Sequence, residues 1–493
     1  MNRFNRPSQT PIPDEARAGD LILGPASQPA KTGDIPAERG TLIAPENRND
    51  PERRLIALPV IRYPASGQQP AEPIFYLAGG PGRSNLGFKP PPDLLAEADI
   101  VLVGYRGVDG SIKLDCPHVK KAMRGKGKDV LSAASRANLA QAVEMDLEHL
   151  TQQGIDLAGY TIEEVIADLE MARSGFGYER INLLSESYGT RIAQMYAWQH
   201  PEHIHRSVMI GVNPPGRFVW EAAKIDQQIG TDARLWAQDP SRAAQTPDLA
   251  EAMRIAVQNM PERWMLFPIN PGKVKAMAFA LLFNRKSAAL VYDAFLASQR
   301  GDPSGLALLS LAYDVTIPAL FTWGDFFSKA YNADTDPNRD YATELDPLDS
   351  ILGTPLSLLF WGSGIKWPVK SLPVERRKVQ RSEVETLLVS GSADFSTPAE
   401  YAARELLPHL THGEHMILAE MGHVGDFWRL QPRAALHLVK TFYATGRIET
   451  IQFRYQPMDF QVSWGFPKLA KIALGVGIIL ILLVAAGLMA ILR

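Results

Sequence analysis

Short apolar runs alternate along the chain with longer stretches of helical period. "EPIFYLAGG" (Glu72–Gly80) and "DIVLVGYRG" (Asp99–Gly107) are brief apolar runs that end in glycine. That pattern predicts buried parallel strands with loops at their C-terminal ends. "RRLIALPVIRY" (Arg53–Tyr63) alternates in part and predicts an earlier strand. In Thr161–Gly177, Ile162, Val165, Ile166 and Leu169 make one helical stripe, and Thr161 and Glu164 have the spacing of a capping box. "RINLLSES" (Arg180–Ser187) reads as a strand, Tyr188–Pro201 as a helix and "RSVMIGV" (Arg206–Val212) as a further strand. The rhythm returns late, in Glu385–Asp394, Glu414–His423 and the helical Pro432–Ala444. Strands alternating with helices imply a mostly parallel sheet covered on both faces.

Between these blocks, residues 213–378 lose the strand rhythm and hold six of the nine Trp, with helical patterns and many Pro. They read as a helical cap inserted into an α/β core. The expected division is an extended arm over 1–38 and a core over 39–212 and 379–446. The cap spans 213–378, a tether 447–471 and an apolar tail 472–492.

The tail changes the picture most. Ile472–Leu492 is 21 residues without a charge. At 1.5 Å per residue it is about 31 Å long, enough for a hydrocarbon core of roughly 30 Å. A transmembrane helix is therefore expected, making the lipid bilayer a partner. Lys468 and Lys471 flank its upstream end and only Arg493 follows. The positive-inside rule then sets the large N-terminal portion in the cytoplasm, and Met1–Asp20 show no apolar run of a secretory signal. Phe453, Tyr455, Phe460, Trp464 and Phe466 either sit at the membrane interface or pack on the globular part. Of the 493 residues, 46% are hydrophobic, ample for a large core. Lys plus Arg number 51 against 54 Asp plus Glu, with no basic block, so nucleic acid is not an expected partner. Cys116 is the only cysteine, which rules out an intrachain disulfide.

Chemistry concentrates where strands end. Ser185-Glu186-Ser187-Tyr188-Gly189 joins a strand to a helix and approximates the G-x-S-x-G turn, with Ser for the first Gly. Such a turn pushes the Ser187 hydroxyl out of the sheet at a helix N-terminus. A serine needs a base. Asp394 and His423 end the two later strands, in the order Ser, acid, His. Asp394 would orient His423, and His423 would take the Ser187 proton. The Gly-rich loop after Leu77 offers backbone N–H groups near Gly80 that, with the N–H of Tyr188, could meet an oxyanion. His200, His203 and His205, and His409, His412 and His415, cluster in sequence but read as solvated loop histidines. No metal or cofactor is expected.

With these segments in order, the chain resembles the α/β-hydrolase superfamily, and within it the proline iminopeptidase and tripeptidyl aminopeptidase-like serine peptidases. "GTLIAPENRNDPERRLIALPVIRY", "GGPG" (Gly79–Gly82), "SYGT" (Ser187–Thr190), "GSADFSTP" and "MGH" carry the likeness. It implies Ser187, Asp394 and His423 as the catalytic triad and Gly80 and Tyr188 as backbone oxyanion donors. It further implies a serine hydrolase working through an acyl-enzyme, most simply an aminopeptidase on short or proline-containing peptides. An ester hydrolase and a silent binding module are the alternatives. The chain departs from the family at Gly104-Tyr105-Arg106-Gly107, where Asp-Gln-Arg-Gly is usual, and at Ala78, often His. Exported relatives often pair a cysteine like Cys116 with one near the position of Arg39. An aminopeptidase also needs acidic cap residues for the substrate's amine, and Glu221 and Asp226 are among those available.

Overall fold

The computed structural model describes residues 12–28, 35–50, 52, 54–336 and 338–476. Among them one sheet dominates. Its strands are β1 (Leu21–Gln28), β2 (Ile35–Pro45), β3 (Leu55–Tyr63), β4 (Ala71–Leu77), β5 (Ala98–Val103), β6 (Ile181–Glu186), β7 (Ile204–Ile210), β8 (Glu385–Gly391) and β9 (Gly413–Leu418). The spatial order is β1-β2-β3-β5-β4-β6-β7-β8-β9. From β5 to β9 every neighbouring pair is parallel, whereas β1, β2 and β3 join antiparallel. All of β5 and all but the last residue of β6 are buried, and each carries a short apolar stretch, Ile100–Val103 in β5 and Leu183–Leu184 in β6.

The stretch 1–38, expected as an extended arm, instead supplies β1 and the start of β2, paired from Leu21 with Leu42 to Gln28 with Ile35. Its Pro, Ala and Gly content hides the strand. An edge strand needs one partner's backbone and only one half-buried face, so Ile22 and Leu23 remain exposed.

Two helices flank β6 in the chain. Helix α1 (Ile162–Gly175) starts at Thr161, whose Oγ1 accepts from Glu164 N–H at 3.4 Å. Its predicted stripe of Ile162, Val165, Ile166 and Leu169 is buried. Helix α2 (Tyr188–Gln199) follows β6 directly and buries nearly its whole length. Between β7 and β8 come helices Ala222–Ala237, Leu249–Gln258, Pro271–Leu281, Arg285–Gln299, Ser304–Thr316 and α3 (Trp323–Asp334). One small hairpin, Arg263–Trp264 with Phe267–Pro268, interrupts them. Trp323, Phe326, Phe360 and Trp361 pack together, with Trp323 Nε1 donating to Pro318 O at 2.9 Å. After β9 come α4 (Val424–Leu430) and α5 (Pro432–Thr445).

Residues 447–471 lie against both the core and the cap, Phe453 meeting Phe427 and Arg454 bonding Gln431 on the core side. Arg285 donates to the carbonyls of Gln456 and Pro457, and Phe460 is buried against Trp236 and Tyr292 at ring distances of 5.3 and 6.1 Å. Tyr455 and Trp464 stay exposed. Among the described residues no single helix is long and apolar enough to cross a membrane. Residues 477–492 of the expected span lie outside them, and the described chain ends in a helix over 466–476.

Candidate active site

Ser187 sits between the last residue of β6 and the first of α2, with φ 51° and ψ −121°. A non-glycine residue there is strained, which marks a turn held by its surroundings. Those surroundings are visible. Ser187 N–H donates to Ile210 O at 2.9 Å, and Ser187 O accepts from Thr190 Oγ1 at 2.6 Å. Gly189 is obligatory, because a Cβ there would lie 2.1 Å from Leu77 O. Ser185, in the position usually held by Gly, fits because its hydroxyl donates to Val208 O at 3.0 Å while the side chain stays buried.

Asp394 and His423 come together as expected. His423 Nδ1 lies 2.7 Å from Asp394 Oδ2. Asp394 is buried, yet its acceptor sites are filled: Oδ1 takes the N–H groups of Ser396 and Thr397 at 2.8 and 2.9 Å, and Oδ2 takes Thr397 Oγ1 at 2.8 Å. Four donors hold one carboxylate, so its orientation is fixed. The His423 backbone N–H donates to Phe283 O at 2.6 Å, and the two rings meet edge-on at 5.7 Å. The imidazole lies against Gly211, where an added Cβ would be 2.8 Å from His423 Cε1. Gly211 follows Ile210, the residue that holds Ser187, so the turn and the imidazole occupy the same end of neighbouring strands. Among the described residues Ser187 Oγ has no hydrogen-bond partner. Catalytic hydrogen bonds commonly tighten only when substrate binds.

The Gly-rich loop passes over Ser187, since a Cβ on Gly79 would be 3.0 Å from Ser187 Cβ. Gly80 is the next residue of that loop, and Tyr188 opens α2, where N–H groups lack helical acceptors. Asn85, which the sequence did not single out, holds the loop. Its Oδ1 accepts from Ala78 N–H at 2.8 Å, and its Nδ2 donates to Tyr76 O and Val103 O at 2.8 and 2.9 Å.

Glu186 is also placed here. Its Oε2 accepts from Tyr76 Oη at 2.8 Å and its Oε1 from Trp428 Nε1 at 2.6 Å. Burial pushes its carboxyl above the ordinary range, and those donors, His423 and Arg83 pull the other way. From the cap, Trp220 packs on Phe279 and Phe283 and donates Nε1 to Ser396 O at 3.0 Å, next to the Asp394 turn. The suggested amine-binding carboxylates are engaged elsewhere: Glu221 with Arg217, and Asp226 with Ile351 N–H at 3.1 Å.

Of the two histidine clusters, His200 and His203 bring ligand atoms within 4.8 Å of each other and of Glu170. Arg173 already donates to both Glu170 oxygens, at 3.0 and 2.6 Å, and Tyr196 Oη adds a further bond at 2.8 Å. This carboxylate is paired with a cation and is poorly set for a metal. His409, His412 and His415 form no such group among the described residues.

The sequence is similar to two tripeptidyl aminopeptidases, from Streptomyces coelicolor (26% identical over 40% of this chain and 39% of that protein) and Streptomyces lividans (27%, over 40% of each). It is also similar to the serine protease Hip1 of Mycobacterium bovis, 26% identical over 44% of each chain. The matches thus span about two fifths of the length of these curated relatives. A solved serine hydrolase from Cycloclasticus zankles aligns over 83% of this chain and 98% of its own, at 11% identity and a TM-score of 0.40. The family model described as the alpha/beta hydrolase fold matches residues 72–428. That match takes in β4, the nucleophile turn, the cap and the His423 loop, and the chain belongs to the α/β-hydrolase family.

Proposed function

We propose that the protein is a serine hydrolase with Ser187 as nucleophile, His423 as general base and Asp394 as its orienting carboxylate. The observation that carries this reading is the Asp394–His423 pair packed on Gly211, one residue from the Ile210 carbonyl that pins the strained Ser187 turn. In acylation, Ser187 Oγ bonds to the substrate carbonyl carbon and its proton passes to His423 Nε2. The electron pair moves to the carbonyl oxygen, which the N–H groups of Gly80 and Tyr188 would receive. Collapse breaks the bond to the leaving group, which departs with the His423 proton. Water then adds to the acyl-enzyme by the same route and releases the acid. Asp394 remains ionised throughout and keeps Nδ1 protonated.

The substrate is proposed to be a short peptide cleaved from its N-terminus, on the likeness to tripeptidyl aminopeptidases. Ester cleavage is the second reading. It draws on the engagement of the two suggested amine anchors within the protein, Glu221 by Arg217 and Asp226 by the Ile351 N–H. A fluorophosphonate probe tests the first step: wild type should label and Ser187→Ala should not. Equal labelling of both would remove Ser187 from the mechanism. Aminoacyl and tripeptidyl fluorogenic substrates, run beside simple esters, then separate the two substrate classes.

We further propose that residues 472–492 anchor the protein to a membrane by a single C-terminal span, with the catalytic part on the cytoplasmic side. Support comes from the uncharged run, the Lys468 and Lys471 flank and the exposed Trp464 beside it. A chain ending at Lys471 should stay active and leave the membrane fraction. Digestion of the large domain by protease added to intact cells would refute the orientation.

A further inference from the structure

The triad chemistry leaves one partly buried charge of the site without a task. Glu186 ends β6 directly before Ser187. Its two hydrogen-bond donors, Tyr76 Oη and Trp428 Nε1, are both neutral. Neutral donors stabilise a carboxylate without cancelling its charge, and what remains acts on His423 and Arg83 through charge. Trp428 lies on α4, the helix that begins at the residue after His423. A glutamine could satisfy the Trp428 N–H equally well, and burying a carboxylate costs free energy that an amide avoids. The charge therefore calls for a reason beyond packing.

We infer that Glu186 is a positioning residue for His423, tying the helix behind the imidazole to the nucleophile strand and stabilising the imidazolium as the Ser187 proton arrives. This rests on the serine-hydrolase reading above. In that reading His423 meets two carboxylates with separate tasks. Asp394 bonds Nδ1 and sets the tautomer. Glu186 bonds the following helix and adds negative potential without touching substrate. The groups set against the imidazole are Asp394, the Thr397 hydroxyl at 3.2 Å and the Phe283 ring, and Glu186 acts on it through its charge. Those that face Glu186 are Tyr76, Trp428, Arg83, His423 and, more weakly, Tyr105.

The test is Glu186→Gln in the full-length protein, followed by kcat/KM against pH on whichever substrate the wild type turns over, with fluorophosphonate labelling in parallel. A nearby negative charge raises an imidazole pKa, so its removal should move the acid limb of the profile to lower pH, by about half a unit or more. The rate on the plateau should fall about tenfold, a share of what general-base catalysis contributes. A group that only packs would leave the acid limb where it is. Trp428→Phe supplies the second arm, since it keeps the carboxylate and removes its tie to α4. It should lower kcat about tenfold with no downward move of the acid limb. An unmoved limb in folded Glu186→Gln overturns the inference. Wild-type kcat in Trp428→Phe overturns it too, whether or not Glu186→Gln folds. Failure of the wild type itself to label or turn over would sink the hydrolase reading and this inference with it.

Discussion

Replacing Asp394 by Asn should abolish nearly all turnover while leaving the fold in place, and the hydrogen bonds around it say why. Oδ1 accepts from two backbone N–H groups, of Ser396 and Thr397. An asparagine can keep those two bonds only by holding its carbonyl oxygen there. Its NH2 then takes the place of Oδ2, facing Thr397 Oγ1 and His423 Nδ1. The hydroxyl can turn and accept. The imidazole must also accept at Nδ1, which leaves its proton on Nε2, where the Ser187 proton has to go. The base is occupied by the wrong tautomer. In a serine-protease triad this exchange costs about 10⁴ in kcat, or about 5 kcal/mol at 1.36 kcal/mol per tenfold. Stability should change far less, because the backbone bonds survive. The assay is kcat on an activated ester at neutral pH, with a thermal melt as control. A folded Asp394→Asn protein within tenfold of wild type would refute the argument and require another orienting carboxylate.

Three further outcomes follow from the same geometry. Gly211→Ala puts a Cβ 2.8 Å from His423 Cε1 at φ +64°, and should displace the imidazole and cut kcat about a hundredfold, read by ester hydrolysis on folded protein. Gly189→Ala drives a Cβ into the Leu77 carbonyl at 2.1 Å and should cost roughly 3 kcal/mol in denaturant unfolding, since backbone cannot move aside as a side-chain tip can. In the cap, burial pushes Asp232 from its ordinary 3.8 up to about 7, against donors Tyr292 and Gln228. The folded state therefore holds a proton that the unfolded chain releases, so stability is fully present below pH 3.8 and declines until about 7. Over about three units that is roughly 4 kcal/mol, so Asp232→Asn should flatten the pH dependence of the melt and raise stability at pH 8.

What the sequence disclosed, and what it hid, divides by the range of the interactions involved. Ser187, Asp394 and His423 were legible because each sits at a strand end inside a short motif, where backbone geometry is written locally. Strand β1 was not, because its pairing partner is β2 and its own composition favours turns. Asn85 was hidden although it lies six residues past Gly79, since its bonds join the backbones of β4 and β5 and leave no periodic trace. Phe283 and Trp220 reach the site from the cap, more than a hundred residues from the segments they touch. Glu186 stood in plain view between two serines. Its partner Trp428 is 242 positions away, so its meaning required the fold.

The departures from the family pattern turn out to be neighbours in space, which bears on what they do. Ala78 stands where His is common and Tyr105 where Gln is usual. Tyr105 Oη donates to Ala78 O at 3.4 Å, so the two departures touch. The Tyr105 ring meets that of Tyr188, the residue whose N–H is an expected oxyanion donor, edge-on at 6.5 Å. Arg106, which keeps the family's residue, is fully buried and forked onto Asp168 at 2.6 and 2.7 Å. Its own carbonyl accepts from Lys329 Nζ of α3 at 3.0 Å, so the same loop is tied to the cap. The exchanges at 78 and 105 thus meet in one contact next to the oxyanion loop, while the loop that follows β5 is tied to the cap through Arg106. Altered packing there changes the shape that a bound acyl group meets before it changes the chemistry. Substrate preference is accordingly the property least transferable from relatives, and the chemistry proposed for Ser187 the most.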